Sequence, residues 1–176
     1  MRKKQRLIIL LMALMVLTTS AEAQTIVSWK VKDLQTAMDT ATAPTIINFW
    51  ATFCKPCIEE LPHFQTLAKQ YRSRGLKLIL VSLDLKEAYP KAVQAFVKNR
   101  GLTAPVVYLD ESNADNFVPL VDSAWSGAIP ASLFINRQIG YRKFVEEELS
   151  KEKLEAEIRL MLGELGKEKG KSVSKR

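Results

Sequence analysis

Thr45-Ile46-Ile47-Asn48-Phe49-Trp50-Ala51-Thr52-Phe53-Cys54-Lys55-Pro56-Cys57-Ile58-Glu59-Glu60-Leu61-Pro62 passes from a β-type pattern into a helical one at a cysteine. Thr45 to Phe49 is rich in β-branched and aromatic residues and predicts a buried strand. From Cys57 onward Leu61, Phe64, Leu67, Ala68 and Tyr71 recur at helical spacing. Cys54 therefore falls at a helix N-terminus, where unpaired backbone N–H groups and the positive end of the helix dipole favour a thiolate over a thiol. Cys57 is one turn inside the same helix and can reach back to close a disulfide. Pro56 suits the first turn, because its missing N–H has no intrahelical partner there. Pro62 is expected to kink the helix near Glu60, and the helix to run to Arg74 with Gly75 as its stop.

The chain has two cysteines, and His63 is its only histidine, so Cys and His alone cannot complete a four-ligand zinc site. A purely structural disulfide is the alternative to a redox pair. Closing so small a loop constrains the unfolded chain by only about 2 kcal/mol on the loop-entropy relation. The position at a helix start after a buried strand favours redox chemistry.

Working outward, Ser28 to Lys32 predicts a short edge strand and Asp33 to Met38 a short helix, with Pro44 before the central strand. Leu76 to Leu83 and Pro105 to Leu109 read as further strands, separated by a helix that Pro90 opens and Asn99-Arg100-Gly101 closes. Phe117, Leu120 and Val121 fit one short amphipathic helix. Ala131 to Ile135 and Tyr141 to Val145 are spaced as a hairpin, and Ser150 caps a last helix carrying Leu154, Ile158 and Leu162. This order predicts an α/β fold, a mixed central β-sheet flanked by helices on both faces.

At 176 residues, 47% hydrophobic and 26% charged, the chain matches one globular domain. Residues 1–23 read as a signal peptide: Arg2, Lys3, Lys4 and Arg6 precede an apolar run from Leu7 to Leu17, and Ala21-Glu22-Ala23 precedes Gln24. The run is shorter than the roughly 20 residues that span a bilayer, so cleavage before Gln24 is expected rather than a firm membrane anchor. The expected domain is 24–166, and 167–176 reads as a disordered basic tail, with a weak membrane-surface contact as the lesser reading. The net charge of +7 comes from the two ends, since residues 24–166 carry seventeen basic and seventeen acidic residues. That interleaved balance argues against nucleic acid as a partner.

Phe49 to Cys57 followed by Glu60-Leu61-Pro62, together with Gly127-Ala128-Ile129-Pro130, resembles the TlpA/ResA-type branch of the thioredoxin family over nearly all of residues 26–162. The resemblance implies a thioredoxin-like fold in an exported protein, periplasm being the expected location, that exchanges disulfides with other proteins. It implies a cis proline at Pro130, facing the cysteines and holding a backbone edge against which substrate pairs. Cytosolic thioredoxins carry a buried Asp where this chain has Asn48, and the ResA-like branch uses a glutamate three residues after the second cysteine, matched by Glu60. Phe53 stands where Trp is usual.

On these grounds Cys54 is the expected nucleophile, Cys57 the resolving thiol and Glu60 the acid-base group, with partial desolvation raising its pKa. Lys55 is expected to favour the Cys54 thiolate further. Trp50, Phe53, Lys55, Pro56, Trp125, Ile129 and Pro130 are the candidate substrate-binding residues, and His63 is expected to be exposed and without a role. No cofactor or metal beyond the Cys54–Cys57 pair is expected. The expected partners are protein thiols and disulfides, and the resemblance implies a membrane thiol carrier as electron donor and apocytochrome c as one possible substrate. A peroxide-reducing relative needs Pro-x-x-x-Thr-x-x-Cys, but Ile47 and Ala51 hold those positions here. A redox-inert thioredoxin-fold binding module is the alternative.

Overall fold

The computed structural model describes residues 25–164. The expected signal peptide over 1–23 and basic tail over 167–176 lie outside the described residues.

One six-stranded sheet is built from β1 (Val27–Trp29), β2 (Thr45–Trp50), β3 (Lys77–Ser82), β4 (Val106–Leu109), β5 (Ala131–Asn136) and β6 (Tyr141–Val145) in the order β1-β4-β3-β2-β5-β6. β1, β4, β3 and β2 run parallel, while β5 is antiparallel to β2 and β6 antiparallel to β5. The helices are α1 (Val31–Asp39), α2 (Lys55–Gln70), α3 (Lys91–Asn99), α4 (Val118–Val121) and α5 (Lys151–Met161). The expected mixed sheet with helices on both faces is the observed architecture.

Alternation along β2 divides the core. Ile46 and Trp50 join the cluster under α2, α3 and α5, which contribute Leu61, Phe64, Leu67, Val93, Val97, Leu154 and Ile158. Ile47 and Phe49 join the opposite cluster with Leu34 and Met38 of α1, Val121 of α4 and Trp125. Every β2 residue is buried, which marks β2 as the centre of the sheet. Burying a side chain as large as Phe49 contributes about 1.5–3 kcal/mol. Asn48 shares its face with Ile46 and Trp50, so a polar side chain is carried under α2.

Two boundaries differ from expectation for local reasons. α1 begins at Val31 because the Asp33 carboxylate accepts the Lys30 N–H at 2.8 Å and draws that segment into a helix start. α2 ends at Gln70, and a 3₁₀ turn over Arg72–Arg74 then tightens the chain into Gly75 at φ 80°. Pro62 lies inside α2 on its exposed side, and the helix continues through it to Gln70.

Candidate functional site

The carboxyl ends of β2 and β3 meet a short loop that delivers Cys54 to α2. Cys54 is the N-cap, in extended conformation, and its Sγ accepts the Cys57 N–H at 3.3 Å. Cys54 and Cys57 form a disulfide. Cys54 is 9% exposed and Cys57 is fully buried, so Cys54 is the sulfur an approaching group meets. The loop behind it is held by Asp84, a buried carboxylate that accepts the Thr52 N–H at 3.0 Å, the Thr52 hydroxyl at 2.5 Å and the Ser82 hydroxyl at 2.7 Å. Two large apolar side chains stand out from these joined loops, Phe53 and Leu85, each 69% exposed.

Opposite Cys54 lies the loop before β5. The Ile129–Pro130 peptide is cis, and the Ile129 carbonyl oxygen sits 3.8 Å from Cys54 Sγ. Pro130 is buried and Ile129 half-buried. This loop is fixed from two sides. Trp125 Nε1 donates to the Ala128 carbonyl at 2.8 Å, and the Glu146 carboxylate accepts the N–H groups of Ser126 and Ala128, both at 3.1 Å, and the Ser126 hydroxyl. The Ser126 hydroxyl and these N–H groups hold the Glu146 carboxyl below its ordinary range.

Behind Cys57, one turn further along α2, Glu60 is buried, 1% exposed. Asn48 Nδ2 donates to its Oε1 at 2.8 Å, and the Leu149 N–H donates to its Oε2 at 2.8 Å. Burial pushes the Glu60 carboxyl up to about 7, against the opposing pull of these two donors, with the charge of Glu148 adding to the rise. A carboxyl poised near neutrality suits proton exchange with an adjacent thiol.

The structure brings Cys54, Cys57, Glu60, Phe53, Pro56, Ile129 and Pro130 together and corrects five expectations. Trp50 is fully buried against Phe96 with ring centroids 5.3 Å apart, so it supports the loop from below and presents no docking surface. Trp125 is likewise core, packed on Phe49 at 4.7 Å, and acts on the site only through its bond to Ala128. The Lys55 side chain is 86% exposed and turns to Glu59 at 3.8 Å, an exposed pair of small energetic weight rather than a partner of Cys54. His63 is half-buried rather than exposed, and Glu60 lies deeper than the edge of the apolar face.

Asp84, Ser132, Glu146 and Leu149 were not singled out from the sequence. A readable signal existed only for Asp84, an acid two residues beyond Ser82 at the carboxyl end of an apolar strand. Among the described residues no helix is long and apolar enough to cross a membrane.

A mixed sheet with β2 at its centre, a Cys-x-x-Cys disulfide at a helix N-terminus and a facing cis proline define a thioredoxin-like protein. The chain belongs to the AhpC/TSA family, whose model matches residues 19–141. It is similar to the thiol-disulfide oxidoreductase ResA of Halalkalibacterium halodurans, 32% identical over 90 residues that cover 51% of this chain and 46% of that protein. ResA of Oceanobacillus iheyensis is 30% identical over 110 residues, 62% of this chain and 53% of that one. The chain thus spans about half the length of these curated relatives. Among solved structures, StoA of Bacillus subtilis superposes with a TM-score of 0.50 at 32% identity, covering 64% of this chain and 80% of that one. A thioredoxin-related protein of Neisseria meningitidis serogroup B superposes with a TM-score of 0.60, covering 72% and 90%, and at 22% identity it supports the fold alone. The resemblance to the TlpA/ResA-type branch is borne out by these relatives.

Proposed function

We propose that the chain is an exported thiol-disulfide oxidoreductase that works on protein substrates through Cys54 and Cys57, in the reducing direction. The observation that carries this reading is the Cys54–Cys57 disulfide at the N-terminus of α2, with the Ile129 carbonyl against Cys54 Sγ and Glu60 buried one turn behind Cys57. The matches to ResA proteins support the same chemistry.

In the reduced protein the Cys54 thiolate, stabilised by the helix N-terminus, attacks a substrate sulfur. A Cys54–substrate disulfide forms, and the first substrate thiolate leaves. The Glu60 carboxylate takes the proton of the Cys57 thiol, and the Cys57 thiolate attacks Cys54 Sγ. The Cys54–Cys57 bond closes as the second substrate thiolate is expelled and protonated. Two electrons pass to the substrate, so the oxidised pair must be reduced again, and a membrane thiol carrier is the donor we propose. Phe53, Pro56 and Ile129 are the surfaces substrate meets, with the buried cis Pro130 holding the Ile129 backbone in place. The disulfide serves without another cofactor or metal. We further propose that the domain, over 24–166, is released by cleavage of the 1–23 segment and acts in the periplasm, that 167–176 is a solvated tail, and that apocytochrome c is a substrate worth testing. Peroxide reduction is not proposed, since Ile47 and Ala51 at the two motif positions are fully buried and apolar.

The test is reduction of insulin disulfides by the mature protein with dithiothreitol, beside Cys54→Ser. A wild-type rate well above the variant's supports the enzyme, while equal rates leave only a redox-inert binding module. The reduction potential of the Cys54/Cys57 couple decides the direction.

A further inference from the structure

Asn48 is fully buried on β2, and its amide reaches two partners. Nδ2 donates to Glu60 Oε1 at 2.8 Å and to Ser132 Oγ, across the β2–β5 pair, at 3.0 Å. Its Oδ1 is buried with no hydrogen-bond partner among the described residues. Glu60 Oε2 is held by the Leu149 N–H. This arrangement suits a carboxylate, which only accepts. A carboxylic acid must donate its proton, and a backbone N–H cannot receive it. The Asn48 amide can: a half turn about Cβ–Cγ exchanges a donor for an acceptor of nearly the same shape. The Ser132 hydroxyl both donates and accepts, so it serves either orientation.

We propose that Asn48 is a positioning residue for the Glu60 proton, its amide donating Nδ2–H to the carboxylate and, turned over, accepting the O–H of the carboxylic acid through Oδ1. The Glu60 carboxyl then keeps one orientation through both halves of the exchange. When the proton moves from Cys57 Sγ to Glu60, the amide turns to accept it; when Glu60 gives the proton up, the amide turns back. With the disulfide closed Cys57 does not titrate, and the charged group that acts on Glu60 is Glu148 on the segment before α5, while β2 and β5 bring neutral Asn48 and Ser132. α5 faces this core with Leu154 and Ile158. An acid at position 48 would set a second negative charge against Glu60, and an apolar residue would offer no partner in either state. The catalytic consequence rests on the function proposed above, but the amide turn does not.

The test is NMR on the full chain with the disulfide closed. Expected is a contact between the Asn48 Nδ2 protons and the Ser132 β-protons when Glu60 is ionised, lost with the midpoint at which Glu60 Cδ reports protonation. Glu60→Gln should hold the acid-like arrangement at every pH, its amide donating toward Asn48 while its oxygen keeps the Leu149 N–H. Asn48→Leu removes a partner from both forms of Glu60, so its midpoint should move upward only by the excess of the bond to the carboxylate over the bond to the acid, about half to one pH unit. A contact unchanged across the Glu60 titration, or a rise well above one pH unit in Asn48→Leu, which would mean that the amide serves the carboxylate alone, overturns the proposal. The wild-type spectrum needs no variant and no exchange activity, so failure here and failure of insulin reduction are separate results.

Discussion

Asn48 Nδ2 and Glu60 Oε1 lie 2.8 Å apart with both side chains buried, one on the central strand and the other on the helix that starts at Cys54. A carboxyl in such a place suffers a desolvation cost when it ionises, and two donors offset only part of it. Sheet and helix are thus joined by a group whose charge state the fold itself resists.

Stability should therefore fall as pH rises from the ordinary carboxylate range toward neutrality. The Glu60 carboxyl goes from an ordinary 4.5 to about 7 in the folded protein. Between these values the native state holds a proton the unfolded chain has released, so the stabilisation is full below the lower value and is lost as pH rises through the upper. At full extent this amounts to about 3–4 kcal/mol. Urea unfolding of the oxidised protein at several pH values, compared with Glu60→Gln, measures it. Wild type should lose ground to the variant as pH rises from about 4.5 to about 7, and curves parallel across that range would remove the raised carboxyl.

Cys54 in the reduced protein should titrate well below the free-thiol value of about 8.5, and Cys57 should not. Cys54 Sγ caps α2 and receives the Cys57 N–H at 3.3 Å, whereas Cys57 is fully buried beside Glu60. Thiolate absorbance against pH in Cys57→Ser and Cys54→Ser separates the two. A Cys54 midpoint at or above that of Cys57 contradicts the assignment.

Cys57→Ser should accumulate mixed disulfides through Cys54, because attack proceeds but resolution is lost. Mass spectrometry of the trapped adducts identifies the bonded cysteine. Should Cys54→Ser trap the same partners instead, the roles are reversed.

What the sequence made legible follows contact range. The strand, the Cys54 cap and the α2 face are local patterns, and the order of elements followed from them. The Leu149 N–H that meets Glu60 comes from 89 residues away, and the Ser132 partner of Asn48 from 84, so only the assembled sheet reveals either. Trp50 was misplaced because a strand buried on both faces gives no alternation from which an inward side chain can be told from a surface one. Trp125 was misplaced by its nearness to Pro130 in the chain, although its ring packs among Phe49, Phe117 and Phe144.

Glu146→Ala should slow exchange with protein substrates about tenfold while leaving reaction with dithiothreitol nearly unchanged. The variant leaves the Ser126 and Ala128 N–H groups without their acceptor and loosens the loop that holds Ile129 against Cys54. Small displacements of positioning groups are expensive for an ordered encounter, but a small thiol needs no backbone edge. Insulin and dithiothreitol rates measured side by side test this, and an equal loss with both would assign Glu146 a general role in stability.

Glu60→Gln should slow resolution by Cys57 and flatten its pH dependence while sparing the first attack by Cys54. The cause is positional: Glu60 is buried one turn from Cys57, whereas Glu59 projects about 100° away on the helix and pairs with Lys55 in solvent. Glutamine keeps the shape and the Leu149 bond but can neither take nor return a proton. General acid-base groups typically contribute on the order of a hundredfold, so the effect on resolution should be plain in a stopped-flow trace that separates mixed-disulfide formation from its decay. Glu59→Gln is the matched control and should resolve at the wild-type rate. If Glu60→Gln keeps both the rate and the pH profile of wild type, the Cys57 proton travels by water or another group, and the buried carboxyl is left with the structural effect measured by urea alone.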